Sequence, residues 1–303
     1  MAFRANGDRW GMAVALGTRA KQALTRGDLT SVERDGEQSR TLFGELGDRW
    51  GQLQAMFTLG LLAQITGDYP RAADLHRTGA RMGEELGLWT EVSDNLCQLG
   101  RVALLSRDYE RAADLHDRAR RLAVEQGYQV GEELAEIGLA LGARRQGRLD
   151  TAEAHLRNWL DWDRRMGSDI GSALILSELG FVAEQRGDDE AALTLHLDGL
   201  AAARQSGDPR AIALALEGLA GAQVSAGRPE QAARLLGAAA ATRESVGVPL
   251  PAAERFDVDR IGGRTRAVLG DEAFATQYAH GRSHGTDRYP EDLTLTAHPA
   301  IGS

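Results

Sequence analysis

The sequence predicts an all-α fold: an α-solenoid of six forty-residue helical hairpins closed by a C-terminal helical cap. Three observations predict it. A turn signal recurs every forty residues without insertion, at Gly27-Asp28, Gly67-Asp68, Arg107-Asp108, Gly147-Arg148, Gly187-Asp188 and Gly227-Arg228. A second glycine series falls midway, at Gly7, Gly47, Gly87, Gly127, Gly167, Gly207 and Gly247. Between the turns, small and apolar residues recur at helical spacing.

The elements follow in order. Residues 1–6 align with the last turn of a helix B, as if the chain began inside a longer array, so a fragment of a larger protein, or a homologue lacking an N-terminal partner domain, is expected. Units near 7–46, 47–86, 87–126, 127–166, 167–206 and 207–246 form a repeat array over 1–247. The first unit is the weakest, with Arg19 where later units carry leucine. In the second, Leu53, Met56, Leu59, Leu62 and Ala63 make one stripe of a helix over Trp50 to Thr66. Gly67 stops that helix, Asp68 caps the next, and Pro70 sits in its first turn, where a missing N–H costs nothing. Each hairpin exposes apolar surface on two sides, which only stacking on neighbours buries.

Val248-Pro249-Leu250-Pro251 breaks the period. A helix from Ala252 towards Leu269, loosened by Gly262-Gly263, and a short one from Gly270-Asp271 through Ala279 form a cap over 248–282. Residues 283–303 carry little pattern and read as a disordered tail.

Composition narrows the function classes. The chain is 43% apolar and 26% charged with a formal charge of −9, which argues against a surface built to track nucleic-acid phosphates. No apolar run spans a membrane and no signal peptide opens the chain, so a cytoplasmic location is expected. The single cysteine, Cys97, excludes an internal disulfide framework and a multi-cysteine zinc site. Lys21, the only lysine, follows Arg19-Ala20, so there is no P-loop.

Small residues identify the repeat. Helix A carries Leu59-Gly60, Leu99-Gly100, Leu139-Ala140, Leu179-Gly180 and Leu219-Ala220, and helix B an early alanine at Ala72, Ala112, Ala152, Ala192 and Ala232. With Gly67-Asp68-Tyr69-Pro70-Arg71-Ala72 and Asp108-Tyr109-Glu110-Arg111-Ala112 at the turns, this resembles the tetratricopeptide repeat, stretched to forty residues. The resemblance implies a right-handed solenoid whose concave groove is lined by helix A. Carried over position by position, that groove holds Gln54, Phe57, Thr58, Leu61 and Gln64, then Asp94, Cys97, Gln98, Arg101 and Leu104. It continues with Ile137, Leu141 and Arg144, then Ser177, Glu178, Phe181 and Glu184, and ends at Glu217 and Gly221. Apolar floor residues with amides, an acid–base set at Asp94 and Arg101 and further acids suit a small ligand, a peptide or an amphipathic partner helix.

The C-terminal stretch is more specific. Gly227-Arg228-Pro229-Glu230-Gln231-Ala232-Ala233-Arg234-Leu235-Leu236-Gly237-Ala238-Ala239, then Arg243-Glu244, Val248-Pro249-Leu250-Pro251 and Leu269-Gly270-Asp271-Glu272-Ala273-Phe274, resemble the ends of actinobacterial signal-transduction ATPase transcriptional regulators of the antibiotic-regulatory and maltose-activator type. That resemblance implies a non-catalytic sensor region controlling ATPase and DNA-binding domains that lie outside this sequence. A stand-alone protein-interaction scaffold is the alternative, and an enzyme with a site around Asp94, Arg101 and Glu178 is a third reading.

Other candidate chemistry is thin. His76, His116 and His196 share one helix B position, but neighbouring units are too far apart for a common zinc, so rings packed between helices are expected. His280 and His284 have i, i+4 spacing without a third ligand, and Cys97 has no nearby base. No catalytic triad, metal site or cofactor motif stands out, so no cofactor is expected. Trp10, Trp50 and Trp89 are expected to fill joints between repeats. Trp159 and Trp162, beside Asp163, Arg164 and Arg165, mark a convex-face contact or dimer patch, or else plain packing.

Overall fold

The computed structural model describes residues 7–166 and 169–284. Among these residues there are helices and turns and no strand. Hairpins pair α1 (Arg9–Arg26) with α2 (Leu29–Glu45), α3 (Arg49–Ile65) with α4 (Tyr69–Leu86), and α5 (Trp89–Leu105) with α6 (Tyr109–Glu125). They continue with α7 (Gln129–Arg145) and α8 (Leu149–Met166), α9 (Asp169–Arg186) and α10 (Asp189–Ser206), and α11 (Pro209–Ser225) and α12 (Pro229–Ser245). A 3-10 turn at Ala252–Glu254, α13 (Phe256–Leu269) and α14 (Asp271–His284) complete the described chain. Successive helices pack on one another, giving an all-α solenoid.

Aspartates and glycines set the helix ends. Asp8 and Asp48 accept from the Gly11 and Gly51 N–H groups at 2.8 Å, and Asp68 and Asp108 accept from Arg71 and Arg111 at 3.2 Å. The turn glycines adopt left-handed backbone, and Arg107 takes the same conformation at φ 61°, alone among described non-glycine residues.

The repeat core follows from one size rule. The early helix B alanines Ala72, Ala112, Ala152, Ala192 and Ala232 are all essentially inaccessible. Sixteen positions after the small residue of helix A comes a buried partner. Where helix A has Gly60, Gly100 or Gly180, helix B has His76, His116 or His196; where it has Ala140 or Ala220, helix B has Leu156 or Leu236. A Cβ on Gly60, Gly100 or Gly180 would come within 2.5 or 2.6 Å of the facing imidazole, so the glycine makes room for the ring.

The cap departs from expectation at both helices. Instead of one helix from Ala252, a 3-10 turn precedes α13, and Gly262-Gly263 does not loosen it, because Ile261, Gly262 and Thr265 are buried against the array. α14 continues past Ala279 to His284, since Gly281 packs on the Arg234 carbonyl and Gly237 on that of Tyr278, drawing α12 and α14 into close backbone contact. Two residues of the expected tail, Ser283 and His284, thus belong to α14, and 285–303 lie outside the described residues.

Trp10, Trp50 and Trp89 do not fill repeat joints. They are 53, 49 and 42% exposed at the starts of their helices, with the Trp10 indole N–H donating to Asp48 at 2.9 Å.

Candidate functional site

The first helices of successive hairpins, α3 to α11, contact one another from unit to unit and so form the inner layer of the array, and the chain's own C-terminal segment lies against it. The contacts of that segment follow the repeats in order. A Cβ on Gly27, in the first unit, would lie 2.9 Å from Val246 Cβ, and one on Gly67, in the second, 3.5 Å from Pro251 Cβ. Arg101 of α5 donates to Glu254 at 2.9 Å. Arg144 of α7 donates through both terminal nitrogens to Asp257, at 2.9 and 2.8 Å. On α9, Glu184 accepts from Arg260 at 2.7 Å and from Arg264 at 2.6 Å. Ile261 meets Gly221 of α11, where a Cβ would stand 3.0 Å from its Cδ1. Residues 246–264 therefore form a strap that touches every unit.

Electrostatics fix the strap where it is most buried. Arg144 is 2% exposed and also donates to Glu178 at 2.8 Å. Burial works against its charge, but Glu178 and Asp257 outweigh that and hold its pKa above the ordinary arginine value. Burial likewise opposes ionisation of Asp257, yet Arg144 and Arg260 hold its carboxyl below the usual carboxylate range. Beneath them Phe181 lies 4.8 Å from the Arg144 guanidinium and edge-on to His196 at 4.9 Å. At the last repeat Arg243 makes a bidentate pair with Glu217 at 2.8 and 3.0 Å.

The strap covers only part of the face. In α3 and α5, Gln54, Phe57, Leu61, Asp94, Gln98 and Arg101 stay partly exposed. Lys21 donates to Gln54 at 2.9 Å, and Gln64 bridges His76 and Gln98 at 3.0 and 3.1 Å. Phe57 sits edge-on to His76 at 5.5 Å. Burial pushes Asp94 up to about 6 against the opposing hydrogen bond from Tyr128 at 3.2 Å.

The remaining predicted residues are spent inside the array, in packing or, for Glu178 and Glu217, in buried ion pairs. Thr58, Ile137, Leu141, Ser177, Glu178, Phe181 and Glu217 are all under 9% exposed. The Thr58 and Ser177 hydroxyls bond to carbonyls of their own helices, at Gln54 and Ala173. Asp94 and Arg101 do not form an acid–base set: the first is bonded by Tyr128 and the second pairs with Glu254. Trp159 and Trp162 pack edge-to-face at 5.6 Å and both remain partly exposed.

His76 and His116 bond through Asn95 and the Ala112 carbonyl, while neither ring nitrogen of His196 has a partner among the described residues. Burial pushes the Cys97 thiol up. His280 and His284 stack at 4.1 Å on α14, and no group of three metal-binding side chains occurs among the described residues.

Sequence reasoning missed Glu254, Asp257, Arg260 and Arg264. Their signal was present as opposite charges: Glu254 just ahead of the first helix after the break in the repeat, and Asp257, Arg260 and Arg264 at helical spacing on it.

No protein-family model and no curated protein matches this sequence. Solved structures do. RapI in its apo form is 12% identical with a TM-score of 0.64, covering 90% of this chain and 96% of that one. BtubC from P. vanneervenii is 19% identical with a TM-score of 0.54, over 74% of this chain and 92% of the other. The apo form of the quorum sensor NprR from B. thuringiensis superposes at 0.47 with 15% identity, over 90% and 85%. The likeness to RapI and BtubC shows the fold, a helical solenoid of tetratricopeptide type.

Proposed function

We propose that this chain is a non-catalytic binding arm of a bacterial transcriptional regulator. It takes a small molecule or partner segment in its concave groove and so controls ATPase and DNA-binding domains outside this sequence. One observation carries the reading: the groove is chemically divided. Partly exposed Phe57, Leu61, Gln54 and Gln98 present an apolar floor with amide rims, and beside them a strap of the same chain occupies the charged half. A site of few oriented polar groups over an apolar floor suits reversible binding.

Two features support the finer parts. The residues that resemble regulator C-termini include those that anchor the cap: Glu244 accepts from Arg282 at 2.8 Å and Gly237 receives α14, while Arg243 locks the last hairpin through Glu217. Against catalysis, four of the side chains that could act as nucleophile or base are sealed, with Cys97 4% exposed and His76, His116 and His196 at most 2%.

Isothermal titration of the chain against candidate metabolites and amphipathic helical peptides tests the groove. Binding that weakens at least about tenfold in Phe57→Ala with Arg101→Ala, a loss of about 1.4 kcal/mol, is the expected result. Unchanged affinity for every ligand detected would remove the assignment.

A further inference from the structure

The strap is itself a template for a ligand. Glu254 and Asp257 are separated by Arg255 and Phe256, and Glu254, Phe256 and Asp257 each meet an arginine of the array, while Arg255 pairs with Asp259 of α13. Glu254 accepts from Arg101 at 2.9 Å, and Asp257 takes both terminal nitrogens of Arg144. Between them, the Phe256 ring lies 6.0 Å from the Arg145 guanidinium. Two donors at this place are unspent: Tyr69 Oη and Arg145 Nε are buried without a hydrogen-bond partner among the described residues. Tyr69 lies within the fields of Glu254, Arg101 and Arg145, so its free hydroxyl belongs to the same cluster.

We infer that the Arg101–Arg144–Arg145 track is a receptor site for an acidic peptide carrying an aromatic residue between two carboxylates, and that residues 252–257 occupy it in cis. The inference rests on the groove being a binding surface. The contact is mainly charge-assisted hydrogen bonding, so a second peptide offering the same groups replaces the strap without leaving Arg144 buried and unpaired. The geometry allows the exchange: α13 is bracketed by Gly247 and Gly270, at φ 68° and 78°, while α14 stays seated on α12 through Gly237 and Gly281. A tethered occupant competes at an effective concentration of roughly millimolar, so free peptide meets a partly closed site.

The probe is a dye-labelled synthetic peptide of residues 251–261, followed by fluorescence anisotropy. Expected are weak binding to the full chain and at least about tenfold tighter binding to a Glu254→Gln, Asp257→Asn variant, in which the tether no longer competes. A Phe256→Ala peptide should lose most of that gain. Equal affinity for both proteins, or no binding to a variant with wild-type circular dichroism, overturns the inference.

Should the variant not fold, hydrogen exchange of the wild-type chain decides. Peptide at about 1 mM, matching the tether's effective concentration, should speed exchange over 256–269 and leave 229–245 unchanged; no change overturns the inference. A silent acidic peptide beside another ligand that still depends on Phe57 removes this inference alone and leaves the groove reading standing.

Discussion

Arg144 and Asp257 are 113 positions apart in sequence and share two hydrogen bonds, at 2.9 and 2.8 Å, in a site where the arginine is 2% exposed. A buried pair of this kind contributes little net stability compared with a well-packed apolar one, but breaking it strands a charge. Asp257→Ala leaves Arg144 with Glu178 alone and removes one anchor of α13. A loss of about 3 kcal/mol in denaturant unfolding is expected, with faster hydrogen exchange confined to α13.

Arg107 occupies the left-handed position that glycine holds in the other turns. A side chain costs roughly 1–2 kcal/mol there, offset in part by the extra freedom glycine gives the unfolded chain. Arg107 is exposed, so nothing else is lost on replacement. Arg107→Gly should stabilise the protein by about 0.5–1 kcal/mol, visible as a higher melting temperature. A melt that is unchanged or lower contradicts this.

The contact between Gly281 and the Arg234 carbonyl leaves no room for a methyl group, and the obstacle is backbone. Gly281→Ala must push α14 off α12, at a cost of about 1–3 kcal/mol for an overpacked site. Ion pairs at the same crossing, such as Arg282 with Glu244, loosen with it. Limited proteolysis should then cut between α13 and α14 while the array stays intact.

The array was readable from sequence because its determinants are local. A glycine needed for left-handed backbone at Gly67, an aspartate one residue on and an alanine four further describe a turn without reference to the rest of the molecule. The strap was not readable, because its partners lie far away: Glu254 is 153 positions from Arg101, and Arg260 is 76 from Glu184. On its own helix, Asp257, Arg260 and Arg264 look like a solvated charged face. Asp94 and Arg101 failed as a pair for the converse reason. They share one face of a helix but stand two turns, about 10 Å, apart, and Tyr128 and Glu254 from other elements bond them instead. The pairing of glycine with histidine and alanine with leucine was visible in the sequence but becomes a packing rule only with the distances.

That rule is testable by exchange. Gly100→Ala alone drives a Cβ to 2.6 Å from the His116 ring and should cost about 1–3 kcal/mol. Combining it with His116→Leu recreates the pairing of Ala140 with Leu156, which is fully buried in the fourth unit. The double variant should recover most of the loss, with a coupling energy of at least about 1 kcal/mol in a double-mutant cycle. Strict additivity would show that the two positions do not read each other.

The same histidines make the fold acid-sensitive. Burial lowers His76 and His116 to about 4 and His196 to about 3, from an ordinary 6.5. The unfolded chain therefore takes up protons from about pH 6.5 downward while the folded chain does not, so stability is lost as pH falls through that window. Once the unfolded chain is protonated, each buried neutral imidazole costs the fold up to a few kcal/mol, a sizeable fraction of a typical domain's stability. Glu133 works in the opposite sense. Burial, with Asp163 beside it, raises its carboxyl to about 7, so it favours the folded state as pH falls. One raised carboxyl offsets about one lowered imidazole, and Asp94, raised to about 6, offsets part of a second. Glu217, also raised by burial, acts with these carboxyls, while Asp257, held low by Arg144 and Arg260, acts with the three histidines, so the acid-labile groups are the more numerous. Helicity followed by far-UV circular dichroism should collapse between about pH 6 and pH 4. Gly100→Ala with His116→Leu should move that midpoint to lower pH, whereas a wild-type chain still fully helical at pH 4 would show that the buried imidazoles do not govern it.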